Sequence, residues 1–289
     1  MEFLRKFTII DKMFLFYSIF CIFWIIRGHN LIDGYVILLS IYIIVIAFVV
    51  LITLLFHFTK SPVIEFIRDW YSIFMVGLLF STTTKIDLIV FREYLDPVFQ
   101  YYDQLIFGYQ PAIIWGTFYD FFVIQEFFHF SYFTFYIILF GIPIYIYIHK
   151  EKSEFTRTIF NIVFVYIFCY FMYIIFPVIG GRALRGALEL TQAYRHGLFT
   201  HIMAFLYNMS DHWGGSFPSS HVSVAFAITL LSFRYFKRFA WLLLINTICL
   251  SIATVFCHYH YFVAILAGYV YGFIMFGVSE FIFAISYHK

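Results

Sequence analysis

From Tyr35 to His57 the chain carries no Asp, Glu, Lys or Arg. An apolar run of that length crosses a bilayer as a helix and is far too long for one strand of a soluble sheet. Comparable runs lie at 13–28, 70–91, 120–147, 156–176, 218–235, 239–257 and 262–285. With 63% hydrophobic and 12% charged residues over 289 positions, no soluble core could enclose the apolar surface. In lipid every backbone N–H and C=O must be paired within the protein, which leaves helices or closed barrels. Run length selects helices. The expected fold class is all-α, a polytopic membrane bundle of about eight transmembrane helices.

A net charge of +2 gives no reason to expect nucleic acid as a partner. Cys21, Cys169, Cys249 and Cys257 sit in or beside apolar runs without metal-ligand spacing and read as inert core thiols. Arg5 and Lys6 before the first run resemble a signal peptide. No small-residue cleavage site follows, so a retained first helix is expected. The third run carries Lys85 and Asp87, and Pro62–Trp70 ahead of it reads as a short interfacial helix. Residues 96–115 are mixed and Tyr-rich and should lie along the membrane surface or dip into it. The longest polar connection, 176–215, holds Arg182, Arg185, Glu189 and Arg195.

Eight spans place Arg27, Arg92, Arg182, Arg185 and Arg195 on one side and twelve Lys and Arg residues on the other. The positive-inside rule then puts both termini in the cytoplasm. It also gathers the 176–216 connection, the start of the sixth span and the junction at His260 on the outer face.

Those three stretches carry the candidate chemistry. In Phe176–Pro177–Val178–Ile179–Gly180–Gly181–Arg182 a span ends at proline, and two glycines turn the chain before an arginine. A guanidinium fork matches two phosphate oxygens better than a lysine point charge does, although an arginine just past a span also serves as a lipid-headgroup anchor. In Gly214–Gly215–Ser216–Phe217–Pro218–Ser219–Ser220–His221, helix N-terminal N–H groups, two hydroxyls and an imidazole could meet an anion. Pro218 is expected in the first helical turn, where its missing N–H is harmless. The same octapeptide also reads as a plain helix cap with an interfacial histidine. The third stretch, Thr254–Val255–Phe256–Cys257–His258–Tyr259–His260–Tyr261, puts His260 at the mouth of the last span. The small patch Ala264, Ala267 and Gly268 follows and suits close helix packing. Asp120, Glu126 and His129 in the fourth run are costly in lipid. Glu126 and Asp120, with His258, are candidates for a polar headgroup pocket, or the two carboxylates are structural and neutralised by His129 or Lys85.

The order Pro-x-x-Gly-Gly-Arg, Phe-Pro-Ser-Ser-His and Thr-Val-x(4)-His-Tyr-x(5)-Ala-Gly resembles the type 2 phosphatidic acid phosphatase superfamily. Within it, the chain is most similar to the bacterial branch related to inositolphosphorylceramide synthases. The likeness extends upstream through Arg68–Asp69–Trp70, Phe107–Gly108–Tyr109–Gln110–Pro111 and Glu126–Phe127, covering roughly 65–275. It implies an N-terminal transmembrane hairpin (1–64) before a six-helix phosphatase or phosphotransferase core (65–289). It also implies a multi-pass protein of a bacterial inner membrane with an extracytoplasmic site, no cofactor and no metal. The partners are then the bilayer and a membrane lipid phosphate. His260 would be the nucleophile and His221 the acid that protonates the leaving oxygen. Arg182, Ser219, Ser220, Gly181 and Arg185 would hold the phosphoryl group.

The chain departs from the family pattern at three places. Ala264 stands where the family has an aspartate four residues past the nucleophile, on the same helical face, able to fix the imidazole tautomer. Loss of the equivalent aspartate in a Ser-His-Asp triad lowers the rate by about 10⁴, so the resemblance implies an impaired enzyme. A deliberate Asp→Ala change or drift to a lipid-phosphate binder would each explain it, and the intact remainder favours the first. Ile175 replaces the first-motif lysine, and Ala253–Thr254 replaces a serine–arginine pair. Arg185 or His258 is the candidate for the missing positive charge. Three functions remain open: release of phosphate to water, headgroup transfer to a hydroxyl as in the ceramide-modifying branch, and binding without turnover.

Overall fold

The computed structural model describes residues 6–187, 197–210 and 213–287, so Glu189 and Arg195 lie outside the described residues. Eleven helices and no strand are found among them. They are α1 (Ile9–Arg27), α2 (Tyr35–Phe58), α3 (Pro62–Thr83), α4 (Asp96–Phe107), α5 (Pro111–Gly116), α6 (Phe122–His149), α7 (Lys152–Ile175), α8 (Leu198–Ser210), α9 (Ser220–Tyr235), α10 (Lys237–Phe256) and α11 (Phe262–Tyr287). The chain is an integral, multi-pass, all-α protein. Six helices, α1, α2, α6, α7, α10 and α11, are long and apolar enough to cross a membrane.

Two of the eight expected spans differ. The interfacial helix at 62–70 and the third run are one continuous helix, α3. It starts with Pro62 at its first position and stops at Thr83. Lys85 and Asp87 therefore lie beyond its end rather than inside a span. The sixth span shortens to the 16 residues of α9, about 24 Å of helix, because Ser219 is its cap. Pro218 accordingly precedes the helix instead of occupying its first turn.

α7 is the hub. Of its most apolar stretch 78% is buried, against 28% for α11, which leaves lipid the larger share of the outer helix. α3, α9 and α11 pack on α7, α9 also packs on α10 and α11, and α6 packs on α10. Glycines let α11 approach α9: a Cβ at Gly272 would lie 2.7 Å from the Ser223 carbonyl oxygen, and one at Gly268 would lie 3.1 Å from that of Ser219.

At one end of the bundle Arg157 pairs with Glu280 at 3.2 Å and Arg234 with Glu154 at 3.3 Å. Lys152 reaches Asp69 at 3.3 Å at the same end. The α1–α2 hairpin is tied there to α3. Arg68 donates to Asp11 at 2.6 Å and to Thr53 at 2.9 Å, and the Tyr71 hydroxyl donates to Asp11 at 2.5 Å. Asp11 is 1% exposed, so its carboxylate is paired inside the protein rather than hydrated.

Removing one partner of such a pair costs about 3–5 kcal/mol, because the other charge stays buried and uncompensated. Arg68→Met should therefore lower the melting temperature in detergent markedly, and Arg68→Met with Asp11→Leu should recover much of the loss. Equal melting temperatures for the single variant and the unmodified protein would contradict this reading of the pair.

Candidate active site

The other end of the bundle gathers the C-termini of α7 and α10, the N-termini of α9 and α11, and α4. Polar main chain is abundant there, and its partners are specific. Ser216 N–H donates to the Val178 carbonyl at 3.0 Å, and Ser219 N–H donates to the Ala264 carbonyl at 3.3 Å. Tyr259 and His260 N–H both return to the Thr254 carbonyl, at 2.9 and 3.1 Å. That fold-back needs His258 in the left-handed region, with φ of 62°. Gly180 permits the closest approach: a Cβ there would sit 2.1 Å from the Tyr259 oxygen and 2.6 Å from the Ser216 hydroxyl. The three distant motifs thus touch.

The structure brings His260 and His221 together, with ring centroids 6.3 Å apart at 63°. His260 is buried. Its Nδ1 lies 2.8 Å from the Ser216 carbonyl oxygen and 2.9 Å from the Ser216 hydroxyl, and its Nε2 lies 3.2 Å from the Ser219 hydroxyl. His221 stands one position inside α9, partly buried, with Nε2 3.1 Å from the Tyr132 hydroxyl of α6 and its ring against Phe135. Ser219 caps α9 by accepting the Val222 N–H at 3.4 Å. Ser220 is buried, and its N–H goes to the Tyr173 hydroxyl of α7 at 3.2 Å, so that donor already has a protein acceptor.

Gly181 packs on His258, where a Cβ would meet the backbone at 3.1 Å. Arg182 follows in a single 3₁₀ turn (Gly181–Ala183), half-buried, its guanidinium 5.5 Å from the Trp213 ring centroid. Arg185 is exposed on the next turn. Ala264 is fully buried in a small apolar cluster with Phe99, Val178 and Tyr261.

The three residues named for a headgroup pocket sit in different settings. Asp120 lies in the 3₁₀ turn Thr117–Asp120 outside the fourth span, and its side chain is exposed. Glu126 caps α8 instead: its carboxylate accepts Phe199 N–H at 2.9 Å, Thr200 N–H at 2.9 Å and the Thr200 hydroxyl at 2.6 Å. His129 bonds within its own helix, to the Gln125 carbonyl at 2.9 Å. His258 cannot bring the missing positive charge. Burial pushes its pKa down to about 4, only partly offset by a bond to the Ala112 backbone, so it is neutral near pH 7.

Sequence reasoning missed two carboxylates of α4. Asp96 accepts Ile179 N–H and Gly180 N–H, each at 3.0 Å, and the Tyr261 hydroxyl at 2.9 Å. Asp103 accepts Phe262 N–H at 2.8 Å and Val263 N–H at 2.9 Å, capping α11 from another helix. Burial raises both pKa values, opposed by those same donors. Their seven-residue spacing, one helical face, was the available signal. Asp87 lies under the second motif. A Cβ on Gly214 would fall 1.9 Å from its carboxyl oxygen, and burial pushes its pKa up to about 8.

The sequence model of the PAP2 superfamily matches residues 101–278, a stretch that contains all three motifs. A PA-phosphatase related-family protein of Dictyostelium discoideum is 43% identical over 54 residues, which is 19% of this chain and 10% of that protein. No solved structure matches the chain.

His258 offers a test of the packing beneath the motifs. An unfolded histidine takes its proton near 6.5 and His258 near 4, so between these values the unfolded chain holds more protons. Stability then rises with pH across that window and is lost as pH falls through it. Thermal melts from pH 7.5 to 4.5 should show His258→Gln losing less stability on acidification than the unmodified protein. Parallel curves would mean that His258 is not held neutral.

Proposed function

Because the chain belongs to the PAP2 superfamily, whose chemistry is phosphatase-type action on lipid phosphates, we propose that it cleaves a lipid phosphate ester through a phosphohistidine on His260. The observation that carries the reading is the pair of imidazoles 6.3 Å apart beside the N-terminus of α9. Nε2 of His260, turned toward the Ser219 hydroxyl, attacks phosphorus. The P–O bond to the lipid breaks, and His221 gives its proton to the departing oxygen. Ser219 then turns from Nε2 to a phosphoryl oxygen, and Arg182 with the positive end of α9 balances the charge on the remaining oxygens. In the second half, His221 takes a proton from water as that water attacks phosphorus, releasing phosphate and restoring His260. No step calls on a metal or cofactor.

An apolar cavity of about 320 Å³ supports a lipid as substrate. It is lined by Ile73, Phe74 and Phe80 of α3, Phe135 and Leu139 of α6 and Tyr170 of α7, and it reaches Ser220 and His221. A fatty or prenyl chain lying there would bring its phosphate to the two histidines. Ionic residues such as Arg157, Arg234 and Lys152 gather at the opposite end of the bundle. By the positive-inside rule that end is cytoplasmic, together with both termini, and the site is extracytoplasmic; the setting we favour is a bacterial inner membrane. We regard α1–α2 (within 1–64) as an addition to the catalytic core (65–289). A lipid or sugar hydroxyl in place of water would make the same site a headgroup transferase, as in the inositolphosphorylceramide synthase branch.

The purified protein, offered phosphatidic acid, phosphatidylglycerol phosphate and polyprenyl diphosphate in mixed micelles, should release phosphate from at least one of them and prefer it to glycerol phosphate. A ³²P-labelled substrate should leave acid-labile label on the protein. His260→Ala should abolish label and turnover. His221→Gln should slow turnover by about 10²–10⁴, the usual worth of a general acid. Label transferred to an added hydroxyl acceptor would identify the transferase, and label persisting in His260→Ala would refute the assignment of the nucleophile.

A further inference from the structure

The tautomer of His260 is settled by its neighbours, and the residue that settles it is Ser216. A carbonyl oxygen only accepts, so the 2.8 Å contact between the Ser216 oxygen and Nδ1 requires the ring proton on Nδ1. The Ser216 hydroxyl donates to the Tyr259 carbonyl at 3.0 Å, which leaves a lone pair facing Nδ1 at 2.9 Å. On the far side, Ser219 Oγ accepts the Val222 N–H and lies 3.2 Å from Nε2, with its hydrogen free to turn to the ring. In the neutral ring the Nδ1 proton meets the Ser216 carbonyl and the Nε2 lone pair faces the Ser219 hydroxyl. That is the form a nucleophilic imidazole needs.

Ser216 is itself fixed. It is 2% exposed, its N–H is bonded to Val178, and Gly214 and Gly215 before it take φ of 86° and 74°. Gly180, by lacking a Cβ, leaves room for the hydroxyl. At position 264, by contrast, the side chain faces Phe99, Val178 and Tyr261. A carboxylate there would be buried among apolar groups, with Asp96 already on the Tyr261 hydroxyl.

We propose that Ser216 is the positioning residue for His260 and takes over the task of the aspartate absent at 264, through its main-chain carbonyl and its hydroxyl together. The proposal rests on the phosphohistidine reading for its consequence but not for its geometry. Alanine at 264 is then compatible with turnover. The hydroxyl also shares the positive charge that His260 acquires on phosphorylation, so its loss weakens the transition state more than substrate binding.

Two independent measurements test this. In ¹⁵N-histidine-labelled protein at alkaline pH, the His260 ring nitrogens should report the Nδ1–H tautomer, and Ser216→Ala, which keeps the carbonyl, should retain that tautomer while the Nδ1 shift moves with loss of the hydroxyl contact. In the lipid-phosphate assay, Ser216→Ala should lower kcat about 10–100-fold with KM nearly unchanged, the worth of a hydrogen bond to a charged group. Ala264→Asp in the unmodified background should bring no gain in kcat and a lower melting temperature. An Nε2–H tautomer in the unmodified protein would overturn the proposal, even if Ser216→Ala failed to fold. So would a gain of 10³ or more on Ala264→Asp. An inactive protein that keeps the Nδ1–H tautomer would instead sink the catalytic reading while supporting the role of Ser216 in holding the ring.

Discussion

One residue, Ser216, carries the junction on which the functional end of this bundle depends. Its N–H is bonded to the loop after α7, its carbonyl to the ring of His260, and its hydroxyl to the carbonyl that precedes that ring. Unpaired polar groups in a buried setting each cost about 1–3 kcal/mol. A buried loop of glycines and serines therefore gains from pairing its polar groups, and the bonds of Ser216 join three segments far apart in sequence. The two glycines at positive φ that precede Ser216 and the Cβ-free Gly180 beside it make room for that pairing.

The knot is braced from outside by α4. Asp96 and Asp103 point inward and accept four backbone N–H groups from the loop after α7 and the first turn of α11. The outward face is apolar, with Tyr101 and Leu105 more than 60% exposed. A soluble surface helix shows the reverse arrangement. Orphan N–H groups on the inner side account for the inward carboxylates, which offset the donors that a loop end and a helix start leave unpaired. Burial raises the pKa of both, and the donors pull it back, so each is kept in place by the groups it serves.

Much of this was legible before any coordinates. Apolar run length gave the membrane bundle, and the motif order brought His221 and His260 to one site. The parts that were not legible share a physical reason. Ser216 acts chiefly through a carbonyl that every residue possesses, so no residue type announces it. Glu126 reads from the sequence either as a headgroup ligand or as a structural carboxylate, and the sequence does not name its partner. Its partners are the backbone N–H groups of a helix some seventy positions later, which composition cannot reveal. His258 looked like a charge because histidine can be one, whereas complete burial keeps it neutral. The end of α3 was misplaced because the hydrophobic run continues past Thr83 into Ile86, Leu88 and Ile89, which pack as a turn rather than a helix.

The N-terminal hairpin shapes the site although it contributes no motif. Tyr17 of α1 meets Thr83 at 2.5 Å, Thr82 donates to Tyr42 of α2 at 3.0 Å, and Arg68 joins Asp11 near the other end of the same helix. α3 is thereby pinned to the hairpin near both of its ends. The stretch between those pins, Ile73 to Phe80, forms one wall of the apolar cavity that reaches His221. Facing it, α6 supplies Phe135 and Leu139, and also Tyr132, whose hydroxyl holds the His221 ring. The wall that would receive a lipid chain and the side chain that would protonate its leaving oxygen are thus set by the same pair of helices. A shift of α3 would change the width of the cavity without touching either histidine. In the proposed reading, the hairpin that fixes α3 would therefore bear on which lipids fit, and the knot at Ser216 on what is done to them.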